Sequence, residues 1–294
     1  METQQQKESL EYFKEYAQDW KNKADNNKGD SINIIKQRND YVLKVISQRE
    51  STKNFLDVGC GTGELVVNVA KKGINSVGVD FSNDMINIAN KTKATQDIKN
   101  SEFVCDSIFN YKLEPESYDS IAANGFIEYI SYEELDNFLT NISAGLSKGG
   151  SFVFGSRNRL FNIFSSNKFT EQEIKSGSTE KLLKEIIKIY SINEPKELVG
   201  FKTAELQEEN TKHETTGVNV STRYQFTPAQ LVNMLDKKGL KIVEIFPVHI
   251  HGAIPAFRNK NPKVHGNIAN LLQEYSGTEM IANSSSFMIH ATKE

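Results

Sequence analysis

The most constraining feature of the chain is the run Leu56-Asp57-Val58-Gly59-Cys60-Gly61-Thr62-Gly63-Glu64, where an apolar strand pattern enters three glycines and leaves as a helix. Glycines at alternate positions let the backbone turn sharply, and they let a ligand approach where a Cβ would clash. A dinucleotide-binding loop reads Gly-x-Gly-x-x-Gly and faces a pyrophosphate with the start of a helix. Here the place of the third glycine is taken by Glu64, whose carboxylate repels a diphosphate.

A strand–turn–helix alternation starts at that run. Strands are predicted at residues 54–58, 76–79, 102–105, 120–123 and 151–154, with helices from Glu64, from the cap Ser82 and from the capping box Ser131-Tyr132-Glu133-Glu134. Five strands with helical connections in about 100 residues argue for an α/β fold with a parallel, doubly wound sheet. Ligands of such sheets bind outside the carboxyl ends of the strands, so the strand ends belong to one site. Residues 9–49 read as helices around a polar loop at 22–30. Residues 155–224 break the rhythm and carry one amphipathic helix at 179–190. Thr227-Pro228-Ala229-Gln230 opens a further helix, and strands follow at 241–246 and 286–292 with an irregular stretch at 247–278 between them.

Three acidic residues arrive at strand ends. Asp57 precedes the loop, Asp80 ends the second strand where a carboxylate accepts from ribose hydroxyls, and Asp106 ends the third where it can accept from an adenine amine. Phe81 and Met85 flank the same place, either as core or as apolar faces for a purine. A cationic nucleoside without phosphates suits this acidic place better than a dinucleotide does.

With these residues in view, the stretch from Asn54 to Phe154 resembles the class I S-adenosylmethionine-dependent methyltransferases. Asp57-Val58-Gly59-Cys60-Gly61-Thr62-Gly63 matches their first motif, Val79-Asp80-Phe81-Ser82 the ribose motif and Cys105-Asp106-Ser107 the adenine motif. Tyr118-Asp119-Ser120-Ile121 through Glu128-Tyr129-Ile130 matches the fourth-strand motif, and Leu146-Ser147-Lys148-Gly149-Gly150 the turn before strand five. The resemblance implies a Rossmann-like seven-stranded sheet with its last strand antiparallel. It also implies S-adenosylmethionine as cofactor, Asn124 and Gly125 beside its methionine end, and Tyr16 or Trp20 folded over it. The expected organisation is an N-terminal helical lid (1–50), a cofactor domain (51–155 and 226–294) and an inserted substrate or lid segment (156–225). Relatives that methylate amide or base nitrogens carry Asn/Asp-Pro-Pro-Tyr/Phe after strand four. This chain has Asn124-Gly125-Phe126-Ile127 instead, and Tyr129 stands where many relatives have a histidine.

The acceptor side is read from fewer signals. His249 and His251 follow strand six on one side of an extended segment, and one of them, His251 ahead, is the candidate general base, with Tyr129 a further catalytic candidate. Arg157, Asn158 and Arg159 after strand five are candidates for holding an anionic group, and Tyr224 is counted with them. His290 reads as structural and His213 as solvated.

Composition bounds the rest. A formal charge of -3 from 35 basic and 38 acidic residues supplies no basic field for a nucleic acid. Cys60 and Cys105 form neither a disulfide pattern nor a metal-ligand spacing, so no metal is expected. Residues 1–7 lack the apolar core of a signal peptide, and no stretch nears the ~20 apolar residues of a bilayer span. The expectation is a cytoplasmic monomer or homodimer, off the membrane, that methylates an O or N atom of a small sugar, nucleotide-linked or phosphorylated compound. The rival readings are an NAD-linked oxidoreductase and a non-catalytic cofactor-binding protein.

Overall fold

A computed structural model describes residues 4–24, 32–49, 51–208 and 224–294. His213 and most of the loop expected at 22–30 lie outside the described residues. Seven strands form one sheet: β1 (Asn54–Val58), β2 (Asn75–Asp80), β3 (Ser101–Cys105), β4 (Tyr118–Ala123), β5 (Leu146–Arg157), β6 (Leu240–Ile250) and β7 (Ser284–Lys293), in the order β3-β2-β1-β4-β5-β7-β6. The first five run parallel to one another, and β7 lies antiparallel between β5 and β6. The chain steps from β1 to β2 on one side and later to β4 on the other. That reversal opens a crevice at the carboxyl ends of β1 and β4.

Each face of the sheet is covered by helices whose apolar stripes match their spacing. Among them, α1 (Gln4–Glu15), α2 (Ala17–Ala24) and α3 (Ile34–Ser47) precede the sheet. Tyr41, Val42, Val45 and Ile46 of α3 pack with Phe55 of β1, Val153 of β5 and Met288 of β7. On the other face α6 (Tyr132–Gly145) buries Leu135, Phe138, Leu139 and Ile142, each a side chain whose burial is worth about 1.5–3 kcal/mol. Its start obeys the capping box: Ser131 Oγ accepts from the Glu134 amide, and the Glu134 carboxylate accepts from the Ser131 amide. The helices α4 (Glu64–Ala70) and α5 (Asn83–Thr95) follow β1 and β2, the latter capped by Ser82.

Two expectations need correction. The connection between β3 and β4 contains no helix, only turns from Asp106 onward. Residues 247–278 are not irregular: β6 runs on to Ile250, and two helices follow, α11 (Pro255–Lys260) and α12 (Pro262–Glu274). Each opens on a proline at its first turn, where the missing N–H costs nothing. His265, Gly266 and Ala269 form the buried side of α12.

Between β5 and the helix α10 (Pro228–Asp236), the helices α7 (Phe161–Ser165), α8 (Lys168–Lys175) and α9 (Thr179–Ser191) are tied to the sheet by buried polar groups. Arg159 is at their centre. Its Nε donates to Glu173 Oε1 at 3.0 Å and its Nη2 to Glu173 Oε2 at 2.7 Å, while Nη2 also reaches Ser178 Oγ at 3.1 Å and Nη1 the Glu205 carbonyl. Asn162 Nδ2 donates to the same Glu173 carboxylate at 2.8 Å. Both ionic side chains are at most 3% exposed. Asn158 is likewise fully engaged: its Nδ2 donates to the carbonyls of Ile281 and Ser284, and its Oδ1 accepts from the Leu160 amide. Arg159→Met would leave the Glu173 charge buried and unpaired, which costs about 3–5 kcal/mol. Chemical denaturation should therefore show a large fall in midpoint for Arg159→Met and little change for Lys148→Met, whose side chain is exposed.

Candidate active site

Two adjoining cavities lie at the carboxyl edge of the sheet. The first, about 230 Å³, is built around the glycine loop, with Asp57, Gly59, Cys60 and Gly61 on one wall and Asn124 and Gly125 on the other. Its far end holds Phe81 and Met85 with Asp106 and Ser107, and Phe13 and Trp20 close over it from the N-terminal helices. Asp80 organises the loop. One carboxylate oxygen accepts from the Gly61 amide at 2.9 Å and the other from the Ser82 amide at 2.9 Å. Burial outweighs these two bonds and pushes the Asp80 carboxyl up to about 6. Burial, with Asp80 and Glu64 nearby, raises Asp57 well above the carboxylate range.

The three loop glycines do different work. Gly61 has a φ of +52°, and a Cβ built there would meet nothing within 4 Å, so its open side faces the cavity. Gly63 does not line the cavity. Its φ is +82°, and a Cβ would come within 2.6 Å of the Phe103 ring and 2.8 Å of Ala89 Cβ, so it serves close packing of loop and sheet. Ser82 is also withdrawn from the cavity: it is fully buried and caps α5 by accepting from the Met85 amide. Tyr16 stacks on Tyr12 at 4.7 Å outside the lining, whereas Trp20 lines both cavities. Tyr129 lines the first cavity and meets Phe13 edge-on at 5.4 Å.

The second cavity, about 750 Å³, shares Trp20, Ile35 and Arg38 with the first. Its charged lining is of one sign. Arg38, Arg157, Lys168 and Arg258 contribute cations, and no carboxylate lines it among the described residues. The first cavity is the reverse, with Asp57, Glu64, Asp80, Asp106 and Glu128 against Arg38 alone. Arg38 marks the boundary: its Nη2 lies 3.5 Å from Glu128 Oε1 and donates to Ser286 Oγ at 2.5 Å.

His249 and His251 form part of the second cavity wall, their rings 4.3 Å apart. His249 takes a left-handed backbone (φ +55°), its amide donates to Gln37 Oε1, and its Nδ1 shares a hydrogen bond of 2.9 Å with Ser285 Oγ. His265 of α12 completes a cluster, with its Nε2 3.3 Å from that of His249. Burial holds all three imidazoles below their usual range, His251 down to about 3. Of the expected anion ligands only Arg157 reaches this cavity. Asn158 and Arg159 are engaged as described above, and Tyr224 is buried against Tyr132 at 4.4 Å. Arg38, Arg258 and His265 had no local signal in the sequence, since they sit on three different helices, α3, α11 and α12, and only the fold brings them to this site.

Residues 49–216 match the sequence profile of a methyltransferase domain. The chain is 32% identical over 160 residues to the ubiquinone biosynthesis O-methyltransferase of Coxiella burnetii, a stretch that covers 54% of this chain and 65% of that one. The chain thus spans just under two thirds of the length of these curated relatives. Among solved structures it resembles a magnesium protoporphyrin IX methyltransferase from Synechocystis with bound S-adenosylmethionine (TM-score 0.56, 12% identity, 100% of this chain and 99% of that one). It also resembles an S-adenosylmethionine-dependent methyltransferase from Methanosarcina mazei (TM-score 0.54, 15% identity, 85% and 96% of the two chains). No helix among the described residues is long and apolar enough to cross a membrane.

The two glycines give a separable test. Gly63→Ala forces an overpacked contact on a left-handed backbone and should lower stability by about 1–3 kcal/mol, read as a fall in melting temperature. Gly61→Ala meets no protein atom, so it should cost less stability and instead weaken ligand binding in the first cavity.

Proposed function

The chain belongs to the methyltransferase-domain family; from that premise we propose that it is an S-adenosylmethionine-dependent enzyme that methylates a hydroxyl oxygen of a small, anionic acceptor held in the second cavity. The observation that carries this reading is the charge division between two joined cavities. A sulfonium cofactor suits the acidic chamber, and an acceptor bearing a carboxylate, phosphate or phenolate suits the basic one. Similarity to an O-methyltransferase over 160 residues supports oxygen as the nucleophile. So does Asn124-Gly125-Phe126-Ile127 in place of a proline-containing amide motif. The family match counts against the NAD-linked and non-catalytic readings.

The residues of the first cavity fit the cofactor. Asp57 Oδ1 and Asn124 Oδ1 are buried acceptors without a hydrogen-bond partner among the described residues, which an ammonium group would supply. Asp80 faces the cavity with a carboxylate already held by two amides, suited to accept from ribose hydroxyls. Asp106, whose Oδ1 accepts from the Ser107 amide at 2.7 Å, stands beside Phe81 and Met85 where a purine would lie. The cofactor, when bound, supplies an electrophilic methyl carbon on sulfur. The chain's contribution is alignment and exclusion of water: Trp20 and Phe13 cover the site, and Arg38 lies at the passage between donor and acceptor. Arg157 and Arg258 hold the acceptor's anionic group. The histidine wall of His249 and His251 receives the hydroxyl, with Tyr129 facing the donor side.

Two measurements check this reading. Incubation with methyl-labelled S-adenosylmethionine and panels of hydroxy acids, phenols and phosphorylated alcohols should label a member of an anionic set, and Arg157→Ala with Arg258→Ala should raise the acceptor KM with little change in cofactor Kd. Labelling confined to uncharged amines would sink the proposal. Cofactor binding should also depend on pH through Asp80. Its carboxyl is raised to about 6, and ribose donors need the ionised form, so S-adenosylhomocysteine affinity should fall as pH drops from 7 to 5. Asp80→Asn should flatten that dependence. It should weaken binding by about 10- to 100-fold, the worth of hydrogen bonds to a charged group.

A further inference from the structure

We propose that His249, His251 and His265 are the protein ligands of a divalent transition-metal cation, of the kind zinc or cobalt provides, that binds the acceptor's oxygen. One nitrogen from each of the three imidazoles lies within 4.8 Å of the others, the one such cluster among the described residues. A tetrahedral zinc with Zn–N bonds of about 2.0–2.1 Å places its ligand nitrogens about 3.3 Å apart. The His249 and His265 Nε2 atoms stand at 3.3 Å already. Two ring nitrogens that face each other at that distance need either a shared proton or a common partner between them.

The second, independent observation is His251. It is 1% exposed, and neither ring nitrogen has a hydrogen-bond partner among the described residues. An imidazole stripped of water on both nitrogens is costly unless something else occupies one of them. Its ring centroid is 4.3 Å from that of His249 and 4.7 Å from that of His265, and one of its nitrogens lies within 4.8 Å of a nitrogen of each. Ser285 Oγ holds His249 through Nδ1, which directs Nε2 to the centre of the cluster, the arrangement in which an outer partner orients a metal-ligating histidine.

Three neutral nitrogen ligands leave a cation its full charge and an open coordination position, the composition of a catalytic rather than a closed structural site. His249 and His251 line the second cavity, so the open position faces the acceptor. Arg258 and Arg157 line the same cavity and would repel a bare dication, so the ligand that completes the site must be anionic. This narrows the acceptor to a compound whose methylated hydroxyl neighbours a second acidic oxygen, such as a hydroxy acid or a catechol. The hydroxyl on the cation loses its proton to water, its oxygen forms the bond to the methyl carbon, and the electron pair of the broken C–S bond stays on sulfur. That catalytic consequence rests on reading the second cavity as the acceptor chamber. The cation site itself stands on the cluster alone.

The test uses the full chain, stripped of metal by a chelator and titrated with Co²⁺ and then Zn²⁺. The expected result is one equivalent bound, with the intense visible absorption of four- or five-coordinate cobalt, displaced by Zn²⁺. His251→Asn and His265→Asn should each weaken Zn²⁺ by more than the ~10- to 100-fold typical of losing an outer partner, while His290→Asn, outside the cluster, should bind as the parent does. Thermal stabilisation by S-adenosylhomocysteine in the same samples reports a folded first cavity. If the variants lose that stabilisation, the stoichiometry and spectrum of the parent chain decide. Binding of less than one equivalent, the pale spectrum of six-coordinate cobalt, or variants that bind as tightly as the parent would overturn the proposal. None of these readouts uses an acceptor, so failure to find methyl transfer leaves them intact and the two proposals fail separately.

Discussion

The Asp80 carboxylate is the interaction on which the site depends. It ends β2, is buried, and accepts from the amides of Gly61 and Ser82, so one side chain pins the glycine loop and the start of α5 together. Those bonds offset part of the desolvation of a charge that burial alone would neutralise. The loop is then held open over the edge of the sheet, with Gly59 accepting the left-handed turn and its amide donating to the Val79 carbonyl at 2.8 Å. Close packing behind the loop completes the frame, because Gly63 leaves Phe103 and Ala89 the volume a side chain would take.

Around that frame the protein divides charge. Acidic groups gather where β1, β2 and β3 end, and cations gather in the space bounded by α7, α8 and α11. A methyl transfer from a sulfonium to an oxyanion brings opposite charges together and neutralises both. Under the proposed reading, chambers of opposite sign would hold each reactant against a complementary lining, with Arg38 common to both. The cost of burying like charges is met differently on the two sides: Asp57 and Asp80 are pushed toward their neutral forms, whereas Arg38 lies beside Glu128, Arg258 is exposed and Arg157 sits over an aromatic face. That face is the Phe169 ring, its centroid 5.8 Å from the Arg157 guanidinium.

The cofactor half was legible in the sequence because its signals are local. Strand, turn glycine, cap and strand-end acid follow one another within a few residues, and each leaves its own mark from Asp57 to Gly150. The second cavity is made by contacts between residues far apart in the chain. Arg38 of α3 meets Ser286 of β7 across 248 positions, and Gln37 reaches the His249 amide across 212. Arg157 and Arg159 show the limit of a composition argument. They are two residues apart and chemically alike, yet one lines a cavity and the other is bound to Glu173 in the interior. Only the arrangement of α8, which carries Glu173, distinguishes them.

The misjudged stretch after Pro247 follows from the same division. Both helices begin at prolines, α11 is only six residues long and buries none of them, and α12 buries just three, so no run of large core residues marks them. What α12 does bury is His265, Gly266 and Ala269, a small face that lets the helix approach β6 closely enough for His265 to meet His249. Gly252 shows how tight that approach is, since a Cβ there would come within 2.5 Å of Ile268. A helix that packs by small residues and a histidine, and not by leucines, gives up apolar burial to place an imidazole. In a chain whose main core is otherwise apolar, that exchange gathers three histidines at the β6–α12 contact, beside the second cavity and apart from the glycine loop.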